Sequence, residues 1–192
     1  FKARIPFDSP KALEFSDNMM EVISYNAILA SSELAKEKGR YESYEGSKWS
    51  RGIFPIDSVD LLEQERGAQI EVSRGSVMDW TPVREHVKQH GMRNSNVMAI
   101  APTATISNIV GSFPCIEPIY KNIYVKANMV GEFTVVNHYM VEDLKKLGLW
   151  NQEMLDQVKY YDGNIQAIQG IPQDLKDLYK EAFEIDPLWG IK

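Results

Sequence analysis

The sequence predicts an α/β fold in which helices pack outside a mainly parallel sheet or barrel. Segments with apolar residues at helical spacing alternate along the chain with short, strongly apolar segments typical of buried strands. Two of the helical segments open with a capping residue followed by proline, a local sign of a helix start. The strand candidates are too few for a closed barrel, so we expect the chain to be a part of a larger domain.

Capping residues and glycines mark the ends of the predicted helices. Ser9 and Thr81 each precede a proline, whose missing N–H is not needed in the first helical turn. Gly39 and Gly91 follow these segments, where a helix commonly ends. In the first helix we expect one buried apolar stripe, formed by Leu13, Met20, Ile23, Ala27, Ala30 and Leu34. Further helices are predicted after Ser58, from within 103–107, and over 136–147, 152–160 and 172–183.

Two short apolar segments are predicted to be strands. Residues 96–101 are apolar and end at Pro102, which favours a buried strand over a helix. Residues 119–125 are the second candidate. Residues 40–56 form a long loop rich in aromatic side chains, and such loops in compact domains are usually functional or packed over something. The stretch 67–76 is ambiguous between strand and coil.

Charge and cysteine content bear on partners and compartment. The net charge is −6 and no basic patch offsets it, which argues against nucleic acid as a partner. No run of about 18 apolar residues is present, so we expect no membrane span. The single cysteine argues against an internal disulfide and favours a reducing, cytoplasmic setting. The chain starts without an initiator methionine or a signal-peptide pattern, and we expect both ends to be cuts in a longer protein.

Residues 101–107 hold the main candidate binding site. An apolar segment breaks at Pro102 into small, hydroxyl-bearing residues that lead into a helix. Such a turn aims several backbone N–H groups at one point, and the positive end of the helix dipole adds to them. The turn is therefore suited to hold a phosphate without a lysine. By itself the pattern is weak, because a Pro-Thr-x-Thr turn also serves as an ordinary helix cap.

Several motifs in one order resemble the large subunits of ribonucleotide reductases. They are Arg93-Asn94-Ser95, residues 101–107, Ile116-Glu117-Pro118, residues 4–9 and 41–47, Gly131-Glu132-Phe133 with Asn137, Gly148-Leu149-Trp150, and residues 171–176. The 41–47 loop and the two Gly-led motifs resemble the class I, two-subunit enzymes. The Pro-Thr-x-Thr-Ile-Ser loop also resembles the adenosylcobalamin-dependent, class II relatives, which stay an alternative. Cys115 departs from the family, in which glycine is common before Ile-Glu-Pro.

The resemblance implies a ten-stranded α/β barrel, with residues 1–192 as the later half of one catalytic domain. It places the substrate diphosphate on a loop, mainly on backbone amides, formed by Thr103, Ala104, Thr105 and Ile106. The intact enzyme would reduce ribonucleoside diphosphates to 2'-deoxyribonucleotides by a thiyl-radical mechanism. No catalytic residue and no metal ligand is expected in this chain, because the family carries its radical-cysteine loop upstream of this region and its reducing cysteine tail downstream.

The resemblance also implies partners and effectors. A metal-containing small (beta) subunit would generate the radical, so this segment is expected to bind no cofactor of its own. ATP, dATP and other deoxynucleoside triphosphates would act as allosteric effectors elsewhere in the large subunit, which would form a homodimer. The isolated chain is expected to be inactive. A non-catalytic scaffold on the same half-barrel, with the loop as a plain helix cap, is the other reading, and a titration with ADP or CDP separates the two.

One cysteine and two histidines invite chemical roles that the sequence does not support. Cys115 is the only thiol, but no family motif gives this position a role, and we expect a small, partly buried apolar residue. His86 and His90 have the i, i+4 spacing of a metal-binding pair. No third ligand is nearby in the sequence and the neighbouring charges are cationic, so we expect a solvated helix face.

Overall fold

The computed structural model describes residues 1–72 and 77–191. Its helices and strands are α1 (Pro10–Lys38), α2 (Ser58–Arg66), α3 (Thr81–His90), α4 (Ala104–Val110), β1 (Ile123–Asn128), β2 (Gly131–Val136), α5 (His138–Lys146), α6 (Gln152–Tyr160), α7 (Gln173–Leu178) and α8 (Leu188–Ile191). Single 3₁₀ turns span Trp49–Arg51, Pro55–Asp57 and Ala182–Glu184. None of the described helices is both long and apolar enough to cross a membrane. The chain divides into two compact units, Phe1–Leu13 with Ala101–Lys192, and Glu14–Ile100.

Helix α1 forms where the sequence predicts it, but a different face is buried. Its buried residues are Ile28, Ser31, Ser32 and Ala35. Met20, Ile23 and Leu34, members of the predicted stripe, are exposed, so that prediction of the buried face is wrong. The buried face packs in the core through Ile28 and makes polar contacts with the chain that follows α3. The Ser31 carbonyl accepts from the Arg93 amide at 3.1 Å, and the Ser31 hydroxyl accepts from the Asn94 amide at 3.1 Å.

The long loop after α1 packs on the core of the unit Glu14–Ile100. That core consists of Ile28, Tyr44, Phe54, Trp80, Val83, Val87 and Met92. The indole Nε1 of Trp49 donates to the Ser95 carbonyl at 2.9 Å, and the Tyr41 amide donates to the Met92 carbonyl at 3.1 Å. The aromatic residues of this loop are therefore packing residues, as loops of this length often require.

The other unit is built around an antiparallel hairpin and helices α5 to α7. Its core consists of Ile123, Met140, Leu144, Met154, Val158, Ile165, Ile168, Ile171, Leu175, Leu178 and Tyr179. Strands β1 and β2 pair from Ile123 opposite Val136 to Asn128 opposite Gly131. At the base of the hairpin, the buried Asn137 donates its backbone N–H to the Asn122 carbonyl at 2.8 Å and its side-chain Nδ2 to Asn122 Oδ1 at 2.9 Å.

The predicted strands are only partly present. Residues 96–101 form no strand in the described structure, and Ile100 is 74% exposed, so the prediction of a buried strand there is wrong. An apolar segment becomes a strand only when a neighbouring backbone completes its ladder. The strand predicted over 119–125 is found shifted, as β1. The sheet formed by β1 and β2 is antiparallel, whereas the sequence predicted mainly parallel pairing.

Two of the C-terminal helices are shorter than predicted. Helix α5 begins at His138 because the side chain of Asn137 caps it, accepting from the Tyr139 amide at 3.2 Å. The helix predicted over 172–183 ends at Leu178 and is followed by the separate 3₁₀ turn Ala182–Glu184. Of the ambiguous stretch 67–76, residues 73–76 lie outside the described residues.

Candidate functional site

The loop predicted to hold a phosphate forms the N-terminal end of helix α4. Thr103 is the N-cap residue and adopts a left-handed conformation, with φ 50° and ψ 25°. The first bond of the helix runs from the Ser107 amide to the Thr103 carbonyl at 2.8 Å. The amides of Ala104, Thr105 and Ile106 therefore precede the helical ladder and have no acceptor within the helix.

The side chain of Thr103 does not cap the helix. Its hydroxyl oxygen instead accepts a hydrogen bond from the Cys115 amide at 3.1 Å, and the same amide lies 3.1 Å from the Pro102 carbonyl. The interpretation of this turn as an ordinary threonine cap is therefore wrong for Thr103. The threonine hydroxyl fixes the loop to residue 115 and leaves the helix end open.

The structure brings the four predicted site residues together on one turn. Ala104, Thr105 and Ile106 are exposed, and Thr103 is half-buried. Ser107 is buried, and its hydroxyl donates to the Ala104 carbonyl at 3.2 Å. The exposed side of the turn thus carries the small side chains of Ala104 and Thr105, the apolar side chain of Ile106 and amides outside the helical ladder, and such amides at a helix start are suited to an anion.

Two residues near this turn were not predicted from the sequence. Asn108 Nδ2 donates to the Ala104 carbonyl at 2.9 Å, and Lys126 Nζ donates to Asn108 Oδ1 at 3.0 Å. Asn108 lies one helical turn beyond Ala104, so the i, i+4 spacing of these two residues in the sequence could have indicated their contact. Lys126 lies on β1, and its position depends on the hairpin, which the sequence did not indicate.

Cys115 is exposed, so the expectation of a partly buried residue is wrong. Its thiol donates to the Pro102 carbonyl at 3.3 Å. Partial desolvation and the neighbouring Glu117 carboxylate raise the pKa of the Cys115 thiol, which disfavours the reactive thiolate. Cys115 also has a φ of 68°, in the left-handed region that favours glycine. This conformation accounts for the glycine that is common at this position in the family it resembles.

The two histidines of α3 lie side by side. Their ring centroids are 4.6 Å apart, and His86 Nδ1 is 2.8 Å from the hydroxyl of the buried Ser32. Partial desolvation, then His86, Lys36 and Arg40, lower the pKa of His90. Among the residues that the structure describes, no three His, Cys, Asp or Glu side chains form a group that would hold a metal ion.

Comparison with known proteins places the whole chain in one family model. Residues 1–192 match the model described as the ribonucleotide reductase barrel domain. The chain is 54% identical over 193 residues to the ribonucleoside-diphosphate reductase subunit alpha of Chlamydia pneumoniae, covering 100% of this chain and 18% of that protein. It is 40% identical over 185 residues to the large chain of the Schizosaccharomyces pombe reductase, covering 96% of this chain and 22% of that protein.

A solved structure shows the same fold. The alpha subunit of the Actinobacillus ureae class Id ribonucleotide reductase aligns with a TM-score of 0.61 and 22% identity, covering 94% of this chain and 25% of that chain. Together with the family model, this likeness confirms the prediction that the chain is part of an α/β barrel. The chain spans about a fifth of the length of the curated relatives it matches.

Proposed function

Because the chain belongs to the barrel-domain family of ribonucleotide reductases, we propose that it is the later half of the catalytic barrel of a ribonucleoside-diphosphate reductase large subunit. The whole enzyme would reduce ribonucleoside diphosphates to 2'-deoxyribonucleotides. This segment would supply binding and orientation of the substrate, and the bond-breaking cysteines would come from other parts of the subunit.

The observation that carries the proposal is the open turn at the start of α4. The amides of Ala104, Thr105 and Ile106 are free of the helical ladder, and the Thr103 hydroxyl is held by the Cys115 amide. A substrate diphosphate bound here would accept hydrogen bonds from these amides and gain from the helix dipole. Ala104 has no side chain beyond Cβ, so the phosphate can approach the backbone closely.

The partners follow from the family and belong to the same proposal. A metal-containing small subunit would generate the radical, and two large subunits would form a homodimer. ATP, dATP and other deoxynucleoside triphosphates would bind elsewhere in the large subunit as allosteric effectors. The described residues would then bind the ribonucleoside diphosphate and no cofactor of their own. We also propose that the enzyme is cytoplasmic and contacts neither nucleic acid nor membrane.

The test is to introduce a negative charge into the turn at the start of α4 in the full-length large subunit. We expect Thr105→Glu to weaken substrate binding by about tenfold or more, because a carboxylate a few ångströms from the diphosphate repels it. Effector binding is expected to change little. Equilibrium binding of CDP or ADP and of dATP, measured separately, gives both affinities.

The matched control is Thr134→Glu, the same substitution at an exposed position on β2. It is expected to leave the affinity for CDP unchanged. Equal loss of substrate and effector affinity in Thr105→Glu would overturn the assignment of the turn. Unchanged CDP binding in that variant would overturn it as well.

A further inference from the structure

A cavity of about 390 Å³ in the unit Glu14–Ile100 is lined by more cations than anions. Its charged lining consists of Arg40, Arg51, Arg84, Lys88, Glu45 and Glu85. The chain as a whole has a net charge of −6. The excess charge in this cavity is therefore opposite in sign to the net charge of the chain. Concave surfaces lined by one sign of charge concentrate counter-ions of the other sign.

Arg40 is held in place by contacts that use the inner part of its side chain. Its Nε donates to the His90 carbonyl at 3.2 Å, and its guanidinium carbon lies 4.8 Å from the centroid of the Tyr44 ring. The absence of a side chain at Gly91 makes this approach possible, since a Cβ there would lie 2.6 Å from Arg40 Nε. A guanidinium fixed in this way binds an anion at a lower entropic cost than a free one.

Among the residues that the structure describes, the outer part of the Arg40 guanidinium is engaged by one exposed carboxylate. Arg40 Nη1 donates to Glu45 Oε1 at 3.1 Å, and the Glu45 side chain is 80% exposed. Exposed ion pairs of this kind contribute little free energy. The Glu45 carboxylate therefore occupies the position of an external anion and is readily displaced by one.

Arg84 differs from the other cations because its charge is already satisfied. Its two terminal nitrogens donate to the Asp57 carboxylate at 2.9 and 2.6 Å, and its guanidinium lies 4.6 Å from the centroid of the Phe54 ring. Arg51 uses its Nε to reach the Ser47 carbonyl at 3.3 Å, a bond that does not need its terminal nitrogens. Lys88 lies one helical turn after Arg84 in α3 and is exposed. Arg51 and Lys88 therefore keep donors for a ligand.

We propose that this cavity binds a small phosphate-bearing anion, held by Arg40 together with Arg51 and Lys88. Asp57 neutralises Arg84, and the ligand displaces Glu45, so Arg40, Arg51 and Lys88 then face the Glu85 carboxylate alone. A dianionic phosphate balances this excess of two positive charges better than a single carboxylate does. Guanidinium groups also match phosphate oxygens in pairs. The rings of Tyr44 and Phe54 are buried and lie against Arg40 and Arg84, so neither offers an open face to an aromatic base, and the phosphate is the recognised group. This inference does not depend on the function proposed for the turn at α4.

The experiment is a calorimetric titration of the full-length large subunit with inorganic pyrophosphate. It is done in the Thr105→Glu variant, so that the turn at α4 does not contribute to the signal. We expect binding that weakens as the salt concentration rises. Lys88→Gln and Arg51→Gln are each expected to weaken it by about two- to fivefold, the effect of one exposed charge pair. Glu45→Gln is expected to tighten it by a similar factor, because it removes the competing carboxylate.

The control is Lys145→Gln, which removes an equal charge at an exposed position of α5. Affinities of the variants are compared only after circular dichroism shows unchanged helix content. Failure of pyrophosphate to bind would overturn the proposal, as would equal losses in Lys145→Gln and Lys88→Gln. Weaker binding in Glu45→Gln would also overturn it, because the anion is proposed to take the place of the Glu45 carboxylate. Citrate binding as tight as that of pyrophosphate would overturn the preference for phosphate.

Discussion

Tyr179 donates its phenolic hydrogen to Asp143 Oδ2 across 2.6 Å, although 36 residues separate the two. Arg4 and Lys146 contact the same carboxylate. Burial alone would raise the pKa of Asp143, but hydrogen bonds from Tyr179, Arg4 and Lys146 lower it below its ordinary value. Burial, together with this bond to the carboxylate, raises the pKa of Tyr179. One carboxylate thus joins α5 to the end of α7 and to the N-terminal segment.

The Asp143 carboxylate is expected to stabilise the fold in a pH-dependent way. The folded state binds its proton less tightly than the unfolded state, so its contribution is present above the unfolded pKa of about 3.9 and is lost as the pH falls through the lowered folded value. Asp143→Asn should lower the free energy of unfolding at pH 7 by about 1.5–3 kcal/mol. Urea unfolding at pH 7 and pH 3 checks this. The prediction would be contradicted if Asp143→Asn lowered the free energy of unfolding by the same amount at both pH values. The control is Asp156→Asn, at an exposed position on α6.

Glu181 is expected to show the opposite dependence on pH. This side chain is buried, and its Oε1 accepts from the Asn122 amide at 2.7 Å. Burial raises the pKa of Glu181, and the nearby Glu184 adds to this, despite the opposing bond from Asn122. The folded state therefore holds the proton more tightly, so stability from this group is full below the unfolded pKa of about 4.3 and is lost as the pH rises through the raised folded value.

Glu181→Gln isolates this effect, because glutamine keeps an oxygen that accepts from Asn122 but does not titrate. Between pH 4 and pH 7, the free energy of unfolding of the wild type should fall relative to that of the variant. Urea unfolding at several pH values in this range measures the difference. If the difference in free energy of unfolding between wild type and variant did not change with pH, or changed in the other direction, the buried carboxyl would not prefer its protonated form.

Gly163 is expected to be the least replaceable glycine of its unit. Its φ is +96°, and a Cβ there would clash with Glu181 Oε1 and lie 3.0 Å from the Ile123 nitrogen. Gly170 has a similar φ of +83° but open space around it. Gly163→Ala should therefore cost about 1–3 kcal/mol more than Gly170→Ala, since both variants carry backbone strain and only the first adds overpacking. Thermal or urea unfolding of the two variants measures this difference in stability. Equal losses of stability in the two variants would contradict the steric argument.

Cys115 is expected to tolerate glycine better than alanine. The left-handed conformation costs a residue with a Cβ roughly 1–2 kcal/mol, and glycine avoids this cost while losing some entropy on folding. Cys115→Gly should match the wild type or exceed it by up to about 1 kcal/mol, whereas Cys115→Ala keeps the strain and loses the bond to the Pro102 carbonyl. Urea unfolding of both variants tests this. If the glycine variant were the less stable of the two, the positive φ would not govern this position.

The helices could be predicted from the sequence because their signals are local. Pro82 and Gly91 mark the two ends of α3 within ten residues of one another, although the prediction of Thr81 as the cap is wrong, because Trp80 is the N-cap and Thr81 is the first helical residue. The strand predicted over 96–101 failed because an apolar run carries no information about a hydrogen-bonding partner. The buried face of α1 was missed for a related reason. That face is buried by Ile28 in the core and by the bonds of Ser31 to Arg93 and Asn94, contacts with residues distant in the sequence that the apolar spacing of the helix does not show.

The candidate site was predicted in place but not in detail. The small, hydroxyl-bearing run 103–107 indicated a turn at a helix start, and the structure has one there. The left-handed backbone of Thr103 and its bond to the Cys115 amide were not predictable, because they depend on where the chain returns twelve residues later. The same holds for Lys126, which reaches Asn108 only through the hairpin.

The two hydrogen bonds between Asn122 and Asn137 determine which end of the hairpin tolerates an insertion. Their two hydrogen bonds close it at the end beside the core, so the pairing register is fixed there as well as at the two-residue turn. Met129 and Val130, between the strands, are almost fully exposed. Because the register has this second constraint away from the turn, a short peptide inserted between residues 129 and 130 should leave both strands aligned at the end beside the core. This is the position at which a label or an affinity tag can be introduced internally.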